Sequence, residues 1–129
     1  SVEEIISTVY ALMDQNRGVP LKNLIVTMGA SGSLWARQAV KGVTIKRQHT
    51  LDVTAIDTVG AGDCFCGVFA ATLATGSSTE VALRRASVAA ALSVQHAGAQ
   101  PSMPVCSVID EALNAFDANT CSISVAPTP

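Results

Sequence analysis

Asp57-Thr58-Val59-Gly60-Ala61-Gly62-Asp63, running on into Cys64-Phe65-Cys66-Gly67-Val68-Phe69-Ala70-Ala71-Thr72-Leu73-Ala74-Thr75, is the stretch that decides the fold. From Asp63 to Thr75 the residues are apolar nearly all round, which reads as a buried helix, and Gly76 stops it. The two glycines around Ala61 let the backbone approach a ligand closely where that helix opens. Free N–H groups at a helix N-terminus, together with the helix dipole, favour an anion such as phosphate. Asp63 sits at the same end. Like charges repel, so its carboxylate does not serve to bind phosphate; it suits a base taking a proton from a hydroxyl that attacks phosphorus. On spacing alone an alternative stays open, in which Asp63 caps the helix and Gly60 and Gly62 only make a turn.

Working outward toward the N-terminus, Val53-Thr54-Ala55-Ile56 is expected as a strand, preceded by a polar stretch through Thr50. Asn23-Leu24-Ile25-Val26-Thr27-Met28 is a short β-rich run closed by Gly29-Ala30-Ser31-Gly32. Ser33 to Arg37 then reads as a returning strand, and Gly42 as a turn before Val43-Thr44-Ile45-Lys46. Taken alone, the Thr-x-Gly-x-x-Gly spacing of Thr27 to Gly32 is a hairpin turn. Ser1 and Glu4 have capping-box spacing ahead of Ile5, Ile6, Val9, Leu12 and Met13 on one helical face, with Arg17, Gly18 and Pro20 as stop signals. Toward the C-terminus, Ser77 and Glu80 repeat that spacing and start a helix expected through Val94, stopping before Gly98. Ser107 caps a short helix containing Ile109, Leu113 and Phe116, and Cys121 to Pro129 has no period. The expectation is one α/β unit over 1–118 with a loose tail over 119–129.

Composition narrows the class. The chain has 129 residues, 49% hydrophobic and 14% charged, with mean hydropathy +0.39, which excludes disorder and coiled coil. Eight Lys+Arg against ten Asp+Glu argue against nucleic acid or an anionic membrane as partner. The longest stretch without a charged residue, Ala86 to Ile109, is broken by Ser87, Ser93, Gln95, His96, Gly98, Gln100, Pro101 and Pro104 and does not read as a membrane span. Ser1-Val2-Glu3-Glu4 has neither the basic start nor the apolar core of a signal peptide, and Cys64, Cys66, Cys106 and Cys121 match no C-x-x-C spacing. A cytoplasmic chain with reduced, mostly buried thiols is the expectation. Arg84 and Arg85 are read as a solvated face, Arg84 pairing with Glu80 four residues before it. Cys64 and Cys66 are read as core packing around Phe65, and Trp35 as packing on the sheet.

Asp57 to Asp63, with an aromatic (Phe65) two positions on, resembles the second signature of the ribokinase-like (PfkB) sugar kinases. Three more segments follow in the family's order. Asn23 to Trp35 (NLIVTMGASGSLW) resembles its nucleotide-binding strand and turn, Ala89 to Val94 (AAALSV) its small-residue helix, and Gly98 to Pro104 (GAQPSMP) the following loop. The resemblance spans about residues 1 to 117 and implies the C-terminal portion of a ribokinase-like three-layer α/β/α fold. The family's N-terminal half, with its first glycine signature, most sugar contacts and a β-sheet lid, has no counterpart in these residues.

The resemblance implies that Asp63 is the catalytic base facing the sugar hydroxyl, while Gly60, Ala61 and Gly62 hold the transferring phosphoryl group through backbone N–H groups. It implies a nucleotide pocket at Thr27, Gly29, Ser31, Gly32, Gly62 and Ser87, where Ser87 replaces the Asn or His the family often carries. It further implies a monovalent-cation site for potassium, using side-chain oxygens of Asp57 and Ser102 and the carbonyls of Val59, Ser93, His96 and Gly98. The implied activity is ATP-dependent phosphorylation of a primary hydroxyl of a small sugar, D-ribose first, with ATP, Mg2+ and K+ as cofactors. The family's acidic magnesium motif lies upstream, so no magnesium ligand is assigned. A fructokinase-like or other sugar or nucleoside kinase, and a nucleotide-binding fragment inactive as the isolated chain, are the alternatives. The resemblance implies a homodimer only for a full-length parent, through the lid.

Overall fold

Asn23-Leu24-Ile25-Val26-Thr27 forms β1 (Asn23–Thr27), and a tight turn at Gly29–Ser31 folds it back onto β2 (Ser33–Ala39). The register sets Ile25 opposite Trp35 and Val26 opposite Leu34. β3 (Gly42–Gln48) pairs antiparallel with β2, setting Trp35 against Lys46 and Leu34 against Arg47. The sheet is a meander in the order β1-β2-β3-β4, whose last strand is Ile123–Val125. A computed structural model describes residues 1–14, 21–116 and 123–125. Within the expected tail, Ile123 pairs with Arg47 and Val125 with Ile45. The rest of that tail, and the expected helix-stop residues Arg17, Gly18 and Pro20, lie outside the described residues.

Because strand side chains alternate, each face of the sheet has its own core. Leu34, Ala36 and Ile45 are buried against Val9 and Met13 of α1 (Val2–Met13). The expected capping box at its start is present, the Ser1 hydroxyl accepting from the Glu4 N–H. On the other face Trp35 packs with Phe65, Leu83 and Ala86, and its indole N–H donates to Asn23 Oδ1 at 3.1 Å. These residues belong to α2 (Ala61–Ala74) and α3 (Thr79–Ser93), and α4 (Cys106–Phe116) covers α3 through Ile109 and Phe116. Helix, sheet and helices make the three expected layers.

Several expectations are corrected. Val53–Ile56 is not a strand: Ile56 N and Asp57 N both donate to the Val94 carbonyl, at 2.7 and 3.1 Å, so this backbone is tied to the end of α3. The apolar helix after Gly60 is not buried all round. Only Cys64, Phe65 and Thr72 of α2 are buried, whereas Ala82, Leu83, Ala86, Ser87, Val88 and Ala89 of α3 are. The sandwiched helix is α3, because it has the sheet on one side and α2 and α4 on others. α3 is capped by Ser78, whose hydroxyl accepts from Val81 N, and not by Ser77. Glu80 reaches Lys46 on β3 instead of Arg84, Arg84 lies over the Phe116 ring, and Arg85 bonds Asp110. α4 starts at Cys106, so Ser107 lies inside it. Of the cysteines among the described residues, Cys64 is buried while Cys66 and Cys106 are exposed; burial pushes the Cys64 thiol up, against a hydrogen bond with Ser93.

Candidate active site

The loop Asp57–Gly60 is held by one hydrogen bond within itself and one to the segment after α3. The Asp57 carboxylate accepts the Val59 N–H at 3.0 Å through Oδ1 and the Gly98 N–H at 2.8 Å through Oδ2. Hydrogen bonds from Val59 N–H and then Gly98 N–H favour the ionised form and hold Asp57 below the usual carboxylate range. Gly60 has φ +82°, and a Cβ there would lie 2.9 Å from the Ala99 Cβ. It is the N-cap of α2, and it offers no side-chain cap to the helix. The Ala61 N–H donates to the Thr58 carbonyl at 3.3 Å, and the N–H groups of Gly62 and Asp63, without a partner among the described residues, are left for a ligand.

This geometry removes capping as the role of Asp63. Asp63 lies in the first turn, three residues after the N-cap, is exposed, and its carboxylate has no hydrogen bond or ion pair among the described residues. It is a free acceptor at the positive end of a helix. Gly62 beside it has open space where a Cβ would stand, so backbone is presented bare to the cleft.

That cleft, of about 110 Å³, gathers residues far apart in sequence: Thr27, Gly29 and Gly32 from the β1–β2 turn, Ala61 and Gly62 from the start of α2, and Ser87 from α3. The expected nucleotide positions converge here with one exception. Ser31 is in the turn but not on the cleft wall; its carbonyl is taken by Arg47. Ser87 is 3% exposed, and its hydroxyl has no hydrogen-bond partner among the described residues. A buried polar atom facing a cleft without a partner is costly unless a ligand or water supplies one. Thr50, Phe65 and Ala90 complete the lining. Thr50 was not legible from sequence: it sits in a polar stretch without pattern, yet its hydroxyl donates to the Ser87 carbonyl at 3.0 Å. An adjoining apolar cavity of about 310 Å³ shares Gly29, Thr50, Ala61 and Ala90 and extends to Val53, Ala55 and Val94.

The expected cation ligands lie around the same loop. Ser93 and Ser102 are buried; their hydroxyls donate to the Ala90 and Ala99 carbonyls at 2.8 and 2.6 Å. His96 is exposed, and its N–H donates to the Ser93 carbonyl at 3.3 Å. Asp57 and Gly98 are in direct contact, and every donor in the set is a hard oxygen, a chemistry that fits a group 1 cation. Among the described residues no three His, Cys, Asp or Glu side chains come together as a metal cage.

Comparison with known proteins identifies the family and the fold. The profile of the pfkB family carbohydrate kinases matches residues 3–106. The chain is 40% identical over 95 residues to the deoxyribokinase of Salmonella typhi, covering 73% of this chain and 29% of that protein. It is 36% identical over 96 residues to the ribokinase of Lactococcus lactis, covering 74% of this chain and 31% of that one. The structure of Arabidopsis thaliana ribokinase complexed with ribose and ATP superimposes with a TM-score of 0.69 at 32% identity, over 87% of this chain and 33% of that one. The chain therefore belongs to the pfkB family of carbohydrate kinases, and its fold is ribokinase-like. It spans about three tenths of the length of these curated relatives.

Proposed function

We propose that this chain is the nucleotide-binding and base-bearing portion of an ATP-dependent sugar kinase, which transfers a phosphoryl group to a primary hydroxyl of a small sugar, D-ribose first. The observation that carries the proposal is the convergence of Thr27, Gly29, Gly32, Gly62 and Ser87 on one cleft at the N-terminus of α2, where the Asp63 carboxylate has no partner among the described residues. The phosphates lie at the Gly60–Gly62 amides, where the helix dipole offsets the charge that develops in transfer. Asp63 accepts the proton of the attacking hydroxyl. Ser87 and Thr50 line the nucleotide side.

Potassium would be held by Asp57, Ser102 and the carbonyls of Val59, Ser93, His96 and Gly98, where it would add positive field beside the phosphate loop. Magnesium would arrive on the nucleotide phosphates. The carbonyls of Ser93 and Ala99 already accept hydrogen bonds from the chain itself, which keeps the loop in shape whether or not a cation is bound.

The sugar contacts belong to a complete chain of the family, so the isolated 129 residues are proposed to bind nucleotide without turnover. Fructokinase-like and nucleoside kinase substrates stay within the proposal. So do a cytoplasmic setting, consistent with the free thiols of Cys64, Cys66 and Cys106, and a homodimer for the complete chain. The test is ribose-dependent ADP formation with magnesium-ATP in potassium buffer, paired with ATP binding by this chain. Saturable ATP binding without turnover supports the proposal; absence of ATP binding overturns it.

A further inference from the structure

We infer that Arg47 is a positioning residue for the nucleotide wall of the cleft, acting through the carbonyl of Ser31; the inference rests on the nucleotide role proposed above. The Gly29–Ser31 turn has glycines at positive φ at both ends, Gly29 at +56° and Gly32 at +88°. Such a turn is pliant, because glycine has the widest choice of backbone conformations. Its internal hydrogen bonds, Met28 N to Gly32 O, Ser31 N to Met28 O and Gly32 N to Gly29 O, all lie within the turn itself. Two features fix it to the sheet. Gly32 is pressed on the Gln48 backbone, where a Cβ would meet the Gln48 carbonyl. Arg47 Nε and Nη2 donate to the Ser31 carbonyl at 3.3 and 3.0 Å.

The strand supplies the rigidity. Arg47 pairs with Leu34 on one side and Ile123 on the other, so its backbone is held in the interior of the sheet. A planar guanidinium placing two N–H groups on one oxygen sets the direction of that carbonyl, and with it the plane of the Ser31–Gly32 peptide. Gly29 and Gly32, on either side of Ser31, line the cleft while Ser31 does not. Ser31 is thus the handle by which β3 holds the wall. A nucleotide that binds only the ordered turn loses affinity in proportion to the time the turn is elsewhere.

The test compares the unaltered chain with Arg47→Met and Arg47→Lys by amide hydrogen exchange at Ser31 and Gly32, ADP titration and thermal midpoint. Arg47→Met is expected to speed exchange at both amides and weaken ADP by about fivefold, the scale of one ordinary hydrogen bond, while the midpoint stays near that of the unaltered chain. Arg47→Lys is expected to recover only part of both, because an ammonium lacks the planar fork. Unchanged exchange in Arg47→Met overturns the inference whatever ADP does. Faster exchange with ADP affinity equal to that of the unaltered chain also overturns it and leaves the nucleotide role standing. No saturable ADP binding by the unaltered chain overturns the nucleotide role, and the inference falls with it.

Discussion

Asp57 Oδ2 accepts the Gly98 N–H at 2.8 Å, joining two loops 41 residues apart. With Val59 N–H on its other oxygen, one carboxylate sets both the loop that opens α2 and the loop after α3. Since Asp57 is held below the usual carboxylate range in the fold, its contribution is fully present above the unfolded value of about 3.9 and is lost as pH falls through the lower folded value. Asp57→Asn is expected to lower the thermal midpoint at neutral pH and to narrow the gap to the unaltered chain as the pH drops below about 4. Parallel midpoint curves from pH 7 to pH 3 would contradict the clasp.

Two glycines two residues apart in the same motif, Gly60 and Gly62, are expected to respond oppositely. Gly60→Ala places a methyl against Ala99 at a positive φ and should cost about 1–3 kcal/mol, read as a lower midpoint in denaturant. Gly62→Ala meets open space and improves helix propensity, so stability is held or gains up to about 1 kcal/mol. Its methyl intrudes on the cleft, and ATP binding should weaken. Equal stability losses at both positions would contradict the described loop.

The parts legible in sequence are those in which a local pattern and the final contact coincide. The Gly60–Asp63 spacing, the Thr27–Gly32 turn and the Ser1–Glu4 box each act within a few residues, so their local geometry is readable. The capping alternative for Asp63 could be dismissed only when Gly60 was seen as the N-cap. Ser77 and Ser78 are adjacent and alike, so spacing alone does not separate them; Ser78 is the cap, and Glu80 reaches Lys46 on a distant strand. Hydropathy marked α2 as apolar but carries no information on which neighbours cover it. Thr50 and Arg47 act on Ser87 and Ser31 across 37 and 16 residues, contacts that no periodicity announces.

Asp63→Asn removes the base while keeping size and shape. In a complete kinase chain carrying these residues, turnover is expected to fall by about 10²-fold or more, with ATP affinity unchanged or slightly stronger as a negative charge leaves the phosphate site. Turnover within a few-fold of the unaltered enzyme would take the base role from Asp63.

The exposed faces of α2 and α4 have a chemical signature. Cys66 and Cys106 are exposed while Cys64 is buried, with its thiol pushed up by burial. Alkylation by iodoacetamide at neutral pH, followed by peptide mass mapping, should modify Cys66 and Cys106 and spare Cys64 until the chain is denatured. Early modification of Cys64 would contradict the packing of α2 on α3.

The central claim is that one cleft, walled by the β1–β2 turn, the start of α2 and Ser87, takes the nucleotide. The most direct measurement is an ADP titration of the isotopically labelled 129-residue chain, with magnesium and potassium present, followed amide by amide. Saturable shifts centred on Gly29, Gly32, Gly62 and Ser87 are the expected result. No saturable shift, or shifts centred away from these residues, would contradict the account.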